Sequence, residues 1–171
     1  MNEAVPLEIE RKFLIDRPNE NELRSHSSRM IQITQVYLKR DPEGASRRIR
    51  SSTENGVTTF HYNEKRLLHG FTRSEREWTI TKEDYEMLTQ ERDPQRHVIK
   101  KVRWCVPFEG HVLELDLFPF WEDRALLEIE LSSEEEAYSL PSWIHVIKEV
   151  TSDRRYFNTS LAAEIPMDDI R

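Results

Sequence analysis

The sequence predicts a mainly β, α+β fold: about eight antiparallel strands and a few flanking helices around a charged interior. Three observations predict it. Charged residues recur at every second position within apolar runs, turn signals separate those runs, and helix-like stretches are few and short.

Glu8 to Ile15 is the first strand. Side chains alternate along a strand, so Glu8, Glu10 and Lys12 share one face. Leu7, Ile9, Phe13 and Ile15 share the other, with Arg11 the one polar interruption. Pro18 to Ser28 is polar and reads as a short helix or loop. Ile31 to Lys39 alternates as a strand, and Asp41-Pro42-Glu43-Gly44 turns the chain into Ser46 to Ser51. Asn55-Gly56 is a hairpin signal leading to Val57 to Glu64. A basic loop around Lys65 to Gly70 then joins Phe71 to Ile80. Thr81 caps a helix through Leu88. His97 to Phe108, Val112 to Phe118 and Ala125 to Leu131 complete the strands, with Glu109-Gly110 turning between the first two. Ser132 or Ser133 caps a short helix through Ala137, and Ser152-Asp153 opens a final helical turn.

The charged alternation of the first strand recurs at Glu114/Asp116, Glu128/Glu130, Arg48/Arg50, Lys101/Arg103 and Arg73/Glu75/Glu77. One such strand is a solvated face. Six in a short chain point to a charged interior. Hairpin connections favour antiparallel pairing, and eight strands can close into a barrel. A two-sheet sandwich would give similar strand lengths, but it needs an apolar inner face, and here charge often opposes aliphatic. Leu113, Leu115 and Leu117 would pack outward while Glu114 and Asp116 line a lumen.

At 171 residues the chain suits a single domain spanning 1–171, and it shows no repeat or linker. A net charge of −7 argues against a general nucleic-acid binder, while 25 Lys and Arg leave enough cations for a local anion site. The one cysteine, Cys105, cannot form an internal disulfide and implies a reducing, cytoplasmic setting. No stretch approaches a membrane helix and no signal peptide is visible. With 4 glycines the chain offers no phosphate-binding glycine loop, and its six histidines lack ligand spacing.

The residues carry a resemblance to the CYTH, or triphosphate tunnel metalloenzyme, family. It begins at Glu8-Ile9-Glu10-Arg11-Lys12, the family's E-x-E-x-K opening. It continues through Gln35-Val36-Tyr37-Leu38, Arg48-Ile49-Arg50, Lys65, Arg73-Ser74-Glu75-Arg76-Glu77 and Lys101-Val102-Arg103. It closes with Glu114-Leu115-Asp116, Glu128-Ile129-Glu130 and Glu149 to Tyr156. The resemblance implies a closed, tunnel-shaped antiparallel barrel, similar to short bacterial inorganic tripolyphosphatases.

Hard divalent cations take oxygen ligands, which Glu8, Glu10, Asp116, Glu128 and Glu130 can supply. The resemblance makes the two Glu-x-Glu pairs ligands of Mg²⁺ or Mn²⁺, with Asp116 close by. It makes Lys12, Arg48, Arg50, Lys65, Arg73, Lys101, Arg103 and Arg155 the phosphate-binding cations, a role for which their charge suits them. The segment before Lys65 departs from the family's apolar Thr-Ile-Lys type, reading His61-Tyr62-Asn63-Glu64. Tyr37 and Lys101 resemble a catalytic tyrosine and lysine of the bacterial members.

The expected function is metal-dependent hydrolysis of a triphosphate, inorganic tripolyphosphate giving pyrophosphate and phosphate. The alternatives are an adenylate cyclase, a thiamine or nucleoside triphosphatase, or a non-catalytic polyphosphate- or nucleotide-binding module. The expected partner is a small-molecule triphosphate, with no nucleic acid and no membrane; a homodimer is left open.

Overall fold

The computed structural model describes residues 7–168 and 170. Among them nine strands form one antiparallel sheet. They are β1 (Leu7–Asp16), β2 (Arg29–Leu38), β3 (Ser46–Glu54), β4 (Val57–His69), β5 (Thr72–Ile80), β6 (Ile99–Phe108), β7 (His111–Leu117), β8 (Arg124–Glu130) and β9 (Val146–Glu149). The order β5-β4-β3-β2-β6-β7-β8-β1 closes into an eight-stranded barrel, because Leu7, Glu8 and Ile9 pair with Ser74, Arg73 and Thr72. Glu10 to Asp16 of β1 pair with β8, and Phe13 to Ile15 also carry the short β9 on the other edge. The expected antiparallel barrel is therefore the observed fold.

Local chemistry sets the connections. Asn55 (φ 50°) and Gly56 (φ 78°) turn β3 into β4, a tight hairpin that needs positive φ at both central residues. The helices are short: α1 (Glu20–His26), α2 (Lys82–Leu88) and the single turn α3 (Asn158–Leu161). Asn19 caps α1 by accepting from the Glu22 amide, and Thr81 caps α2 by accepting from that of Asp84. Among the described residues no helix is long and apolar enough to cross a membrane.

Three expectations need correction. The basic loop after Glu64 is strand: Lys65, Arg66 and Leu67 pair with Glu75, Ser74 and Arg73. Its charged alternation belongs to a lumen-lining strand. No helix forms at Glu134 to Ala137, where the chain makes a turn. The carboxylates there serve other elements: Glu134 accepts from the Phe71 amide, and Glu136 accepts from the Ser132 amide. The short edge strand β9 was not anticipated.

Two apolar clusters lie outside the barrel wall. Phe13, Leu113, Leu115, Leu127 and Ile129 pack with Leu23 of α1 and Ile144. Val36, Leu38, Ile49 and Tyr62 pack with Tyr85 and Leu88 of α2. A third cluster closes one end of the interior, where Leu14 continues the inward face of Glu8, Glu10 and Lys12. Tyr37, Phe118, Trp121, Leu126 and Tyr156 fill this end. The lumen is thus charged through its middle and apolar at one end.

Candidate active site in the barrel lumen

Strand order distributes charge around the lumen. β1, β7 and β8 bring Glu8, Glu10, Glu114, Asp116, Glu128 and Glu130 to one side. β4 and β3 on one flank, and β6 on the other, bring Lys65, Arg48, Arg50, Lys101 and Arg103. β5 mixes both signs. β2, directly across the eight-strand ring from β1, offers the uncharged Gln35 and Tyr37. Register brings the groups level: Glu10 lies opposite Glu130, Lys12 opposite Glu128, and Glu114 opposite Glu128.

The middle of the lumen is a cavity of about 260 Å³ lined in part by Glu8, Glu10, Arg48, Arg50, Glu128 and Glu130. It shares Glu10, Arg48, Lys65 and Asn158 with a second cavity of about 480 Å³, which also takes in Lys12, Tyr37 and Arg73. It shares Arg50, Glu77, Arg103 and Glu114 with a third of about 500 Å³. The space therefore continues past the central charges in two directions.

Most cations here are compensated. Lys65 Nζ lies 2.9 Å from Glu8 Oε1, and Lys12 Nζ lies 3.2 Å from Glu128 Oε1. Arg103 donates Nε to Asp116 Oδ1 at 2.7 Å and also pairs with Glu114. Asn63 donates to Glu75 at 2.7 Å. Arg50 is looser, at 3.9 Å from Glu77.

The carboxylates are not compensated alike. Burial pulls against ionisation of Glu128, but Lys12, Arg103 and Lys101 outweigh it and hold the carboxyl well below its usual range. The Glu10 carboxyl forms no ion pair among the described residues, although Lys65 and Lys12 are near enough to favour its charge. Burial and the neighbouring Glu128 push it up to about 8. Burial, Glu8 and Glu114 also raise Glu130. Burial lowers Arg50 to about 10, with Arg48 and Arg103 adding to the effect.

Glu10, without an ion-pair partner, beside Glu8, Glu128 and Glu130 makes an all-oxygen setting that fits a hard divalent cation. Among the described residues no three such groups already converge on one point. The set therefore fits a cation that keeps waters and draws other ligands from phosphate oxygens.

The structure brings Lys12, Arg48, Arg50, Lys65, Arg73 and Arg103 to the lumen or its mouth with the four glutamates. Arg73 lies 4.3 Å above the Phe157 ring. Two further expected residues lie deeper: Asp116, within electrostatic reach of Glu128, is 1% exposed and engaged by both Lys101 and Arg103. Burial opposes its charge, yet Arg103 and Lys101 hold it down at about 2. Lys101 lies behind the central cavity, its Nζ 2.6 Å from Asp116 and 5.7 Å from the Phe118 ring centre. Burial lowers Lys101 to about 7, against the opposing pull of Asp116.

Arg155 is not among the converging cations. Its side chain is 55% exposed and paired with Asp153 at 2.7 Å and Asp168 at 2.9 Å, carboxylates close to it in the folded chain. Sequence reasoning missed Asn63, Asn158 and Gln35. Period two could have found Asn63 and Gln35, which stand two residues before Lys65 and Tyr37 on the same strand faces.

No protein-family model matches the chain. It is 31% identical over 163 residues to an inorganic triphosphatase of Nitrosomonas europaea, covering 93% of this chain and 99% of that one. It is 33% identical over 157 residues to an inorganic triphosphatase of Acetivibrio thermocellus, covering 90% and 92%. A crystal structure of an inorganic triphosphatase superposes with a TM-score of 0.57 at 29% identity, covering 93% and 96%. A Pyrococcus horikoshii protein shares the fold at a TM-score of 0.53 and 18% identity, covering 72% and 80%.

Proposed function

The chain belongs to the inorganic triphosphatases of the CYTH, or triphosphate tunnel metalloenzyme, family, and from that premise we propose that it hydrolyses inorganic tripolyphosphate to pyrophosphate and phosphate with Mg²⁺ or Mn²⁺. The observation that carries the reading is a wall of carboxylates, Glu10 among them without an ion-pair partner, set against a cationic wall around the central cavity. Cations alone would suffice to hold a polyanion. Glu10 and Glu130 hold their protons more tightly than ordinary carboxyls, as groups short of nearby positive charge do, and a metal would supply that charge.

In this reading Glu8, Glu10, Glu128 and Glu130 hold the cation. When bound, it would polarise phosphate oxygens and neutralise the charge that develops on them. Arg48, Arg50 and Arg103 grip phosphate oxygens through planar, multidentate guanidinium groups, while Lys12 and Lys65 act as compact charges. Phosphoryl transfer needs chiefly such positioning and charge neutralisation. The Tyr37 hydroxyl, which lies by the Arg48 guanidinium, can donate to the oxygen that leaves with pyrophosphate. Asp116 fixes Arg103 and Lys101 rather than binding the metal. No aromatic or polar set beyond the phosphate groups is needed, which favours an inorganic substrate over a nucleotide. Cys105, buried and unpaired, fits a cytoplasmic setting.

The test is phosphate release from tripolyphosphate with Mg²⁺ or Mn²⁺, followed by excess chelator. The reading expects release that stops on chelation. Release that continues unchanged in chelator would reject the metal, and no release with either ion would reject the hydrolase.

A further inference from the structure

Gln35 is fully buried, at 0% exposure, yet neither its amide oxygen nor its amide nitrogen has a hydrogen-bond partner among the described residues. Leaving both ends of a buried amide unsatisfied is costly, and such a group calls for an explanation. Its neighbours share the condition. The Nε atoms of Arg50 and Arg48, which lie opposite Gln35 and Tyr37 in register, are unpartnered, and the Tyr37 hydroxyl, two residues along β2, faces the Arg48 guanidinium. The orphaned atoms therefore gather on the β2–β3 wall, next to the central cavity that Arg48 and Arg50 line.

Phosphate oxygens can satisfy the arginines but not the whole amide, because an ionised phosphate accepts and does not donate. The Gln35 oxygen needs a donor while its nitrogen needs an acceptor. Water is both.

Position gives that water a use. β2 is directly across the ring from β1, which carries Glu8 and Glu10, and is flanked by the cationic strands β3 and β6. A triphosphate held between these walls turns one side toward the carboxylates and the other toward β2. We propose that Gln35 binds and orients the water that attacks the terminal phosphorus, with Tyr37 as its neighbour on β2. The assignment rests on the tripolyphosphate reading above. The water oxygen forms the new bond to phosphorus, and the bond from phosphorus to the bridging oxygen breaks with its electron pair going to pyrophosphate. One water proton stays on the new phosphate and the other is released to bulk water, while the pyrophosphate oxygen keeps the electron pair. Gln35 holds the water without accepting a proton, as its neutral amide requires.

Gln35→Met matches the volume without either polar atom, and Gln35→Glu keeps an acceptor. Both are compared with the parent for tripolyphosphate hydrolysis with Mg²⁺ and for melting temperature. We expect Gln35→Met to lose about 100-fold in kcat, the scale for removing one preorganised hydrogen-bonding group, with KM within about twofold. The melting temperature should hold, and Gln35→Glu should recover part of the lost kcat. Unchanged kcat in Gln35→Met would overturn the proposal, as would a raised KM with kcat retained, which marks a phosphate contact instead. Failure of both variants to fold would overturn it in favour of a structural role. An inactive parent would overturn the tripolyphosphate reading itself, whereas an active parent with indifferent variants removes only the Gln35 assignment.

Discussion

Lys65 Nζ lies 2.9 Å from Glu8 Oε1, joining β4 to β1 across the inside of the barrel. Two residues further along β1, Glu10 points into the same space with no such partner among the described residues, and its carboxyl is pushed up to about 8. Neighbouring glutamates on one strand face therefore meet different surroundings: burial raises both, but Glu8 has a buried cation to neutralise, whereas Glu10 has no ion-pair partner.

Exchanging each residue should separate those roles. Glu8→Leu leaves Lys65 buried beside Arg48 without its ion pair and should cost about 3 kcal/mol of unfolding free energy. Glu10→Gln replaces a carboxyl that burial keeps protonated below about pH 8 and should leave metal-free stability near neutrality unchanged while abolishing turnover. Urea unfolding and phosphate release check both. Near-parental activity in Glu10→Gln would remove Glu10 from the metal set.

The pH dependence follows with a definite sign. Glu10 binds its proton more tightly folded than unfolded, so its contribution to stability fades as pH rises from about 4.5 to about 8. Lys101, lowered to about 7, acts oppositely: the unfolded chain binds more protons above that pH, and stability rises from about 7 to about 10.5. Between pH 5 and 7 the Glu10 effect stands clear of Lys101. The metal-free protein should lose melting temperature across that range. Added Mg²⁺ competes with the proton, so it should raise the melting temperature more at pH 8 than at pH 6. An Mg²⁺ effect that shrinks as pH rises would contradict this account of Glu10.

Asp116 gives a second contrast. With Lys101 at 2.6 Å and Arg103 at 2.7 Å, Asp116→Asn should destabilise by about 3 to 5 kcal/mol, because two buried cations lose their counter-charge. The residual activity should need no more Mg²⁺ than the parent, although KM rises as Arg103 loses its anchor. A large increase in the Mg²⁺ requirement at unchanged KM would return Asp116 to the metal.

Arg50 lies among like charges, and burial with Arg48 and Arg103 lowers its pKa to about 10. Its removal should therefore cost little stability and much binding. Arg50→Ala should raise the tripolyphosphate KM at least about tenfold, some 1.4 kcal/mol, while the ligand-free melting temperature stays within a few degrees. A large loss of stability with KM unchanged would make Arg50 a structural cation.

Period-two charge made the lumen legible, since Glu8, Glu10, Arg48, Arg50, Glu128 and Glu130 fall on inward strand faces as alternation requires. Closure was less legible, because it depends on Leu7 to Ile9 meeting Thr72 to Ser74, a pairing between distant segments that alternation does not encode. Lys101 and Asp116 share the inward periodicity yet sit behind the central cavity, beside Phe118. Alternation gives a side chain's face but not its depth along the barrel. Arg155 was assigned through its motif, and its two acidic partners come from a neighbouring turn and from the later segment at Asp168. Gln35 has no charge to draw notice, and its importance emerges only when its burial and missing partners are seen together.

The most direct measurement of the central claim is kcat/KM for tripolyphosphate and for ATP under identical Mg²⁺ and Mn²⁺ conditions, with products separated by chromatography. A lumen built for phosphates alone should favour tripolyphosphate by at least about tenfold, roughly 1.4 kcal/mol of transition-state preference, and release pyrophosphate and phosphate. ATP hydrolysed equally well, or cyclic AMP as the main product, would contradict it.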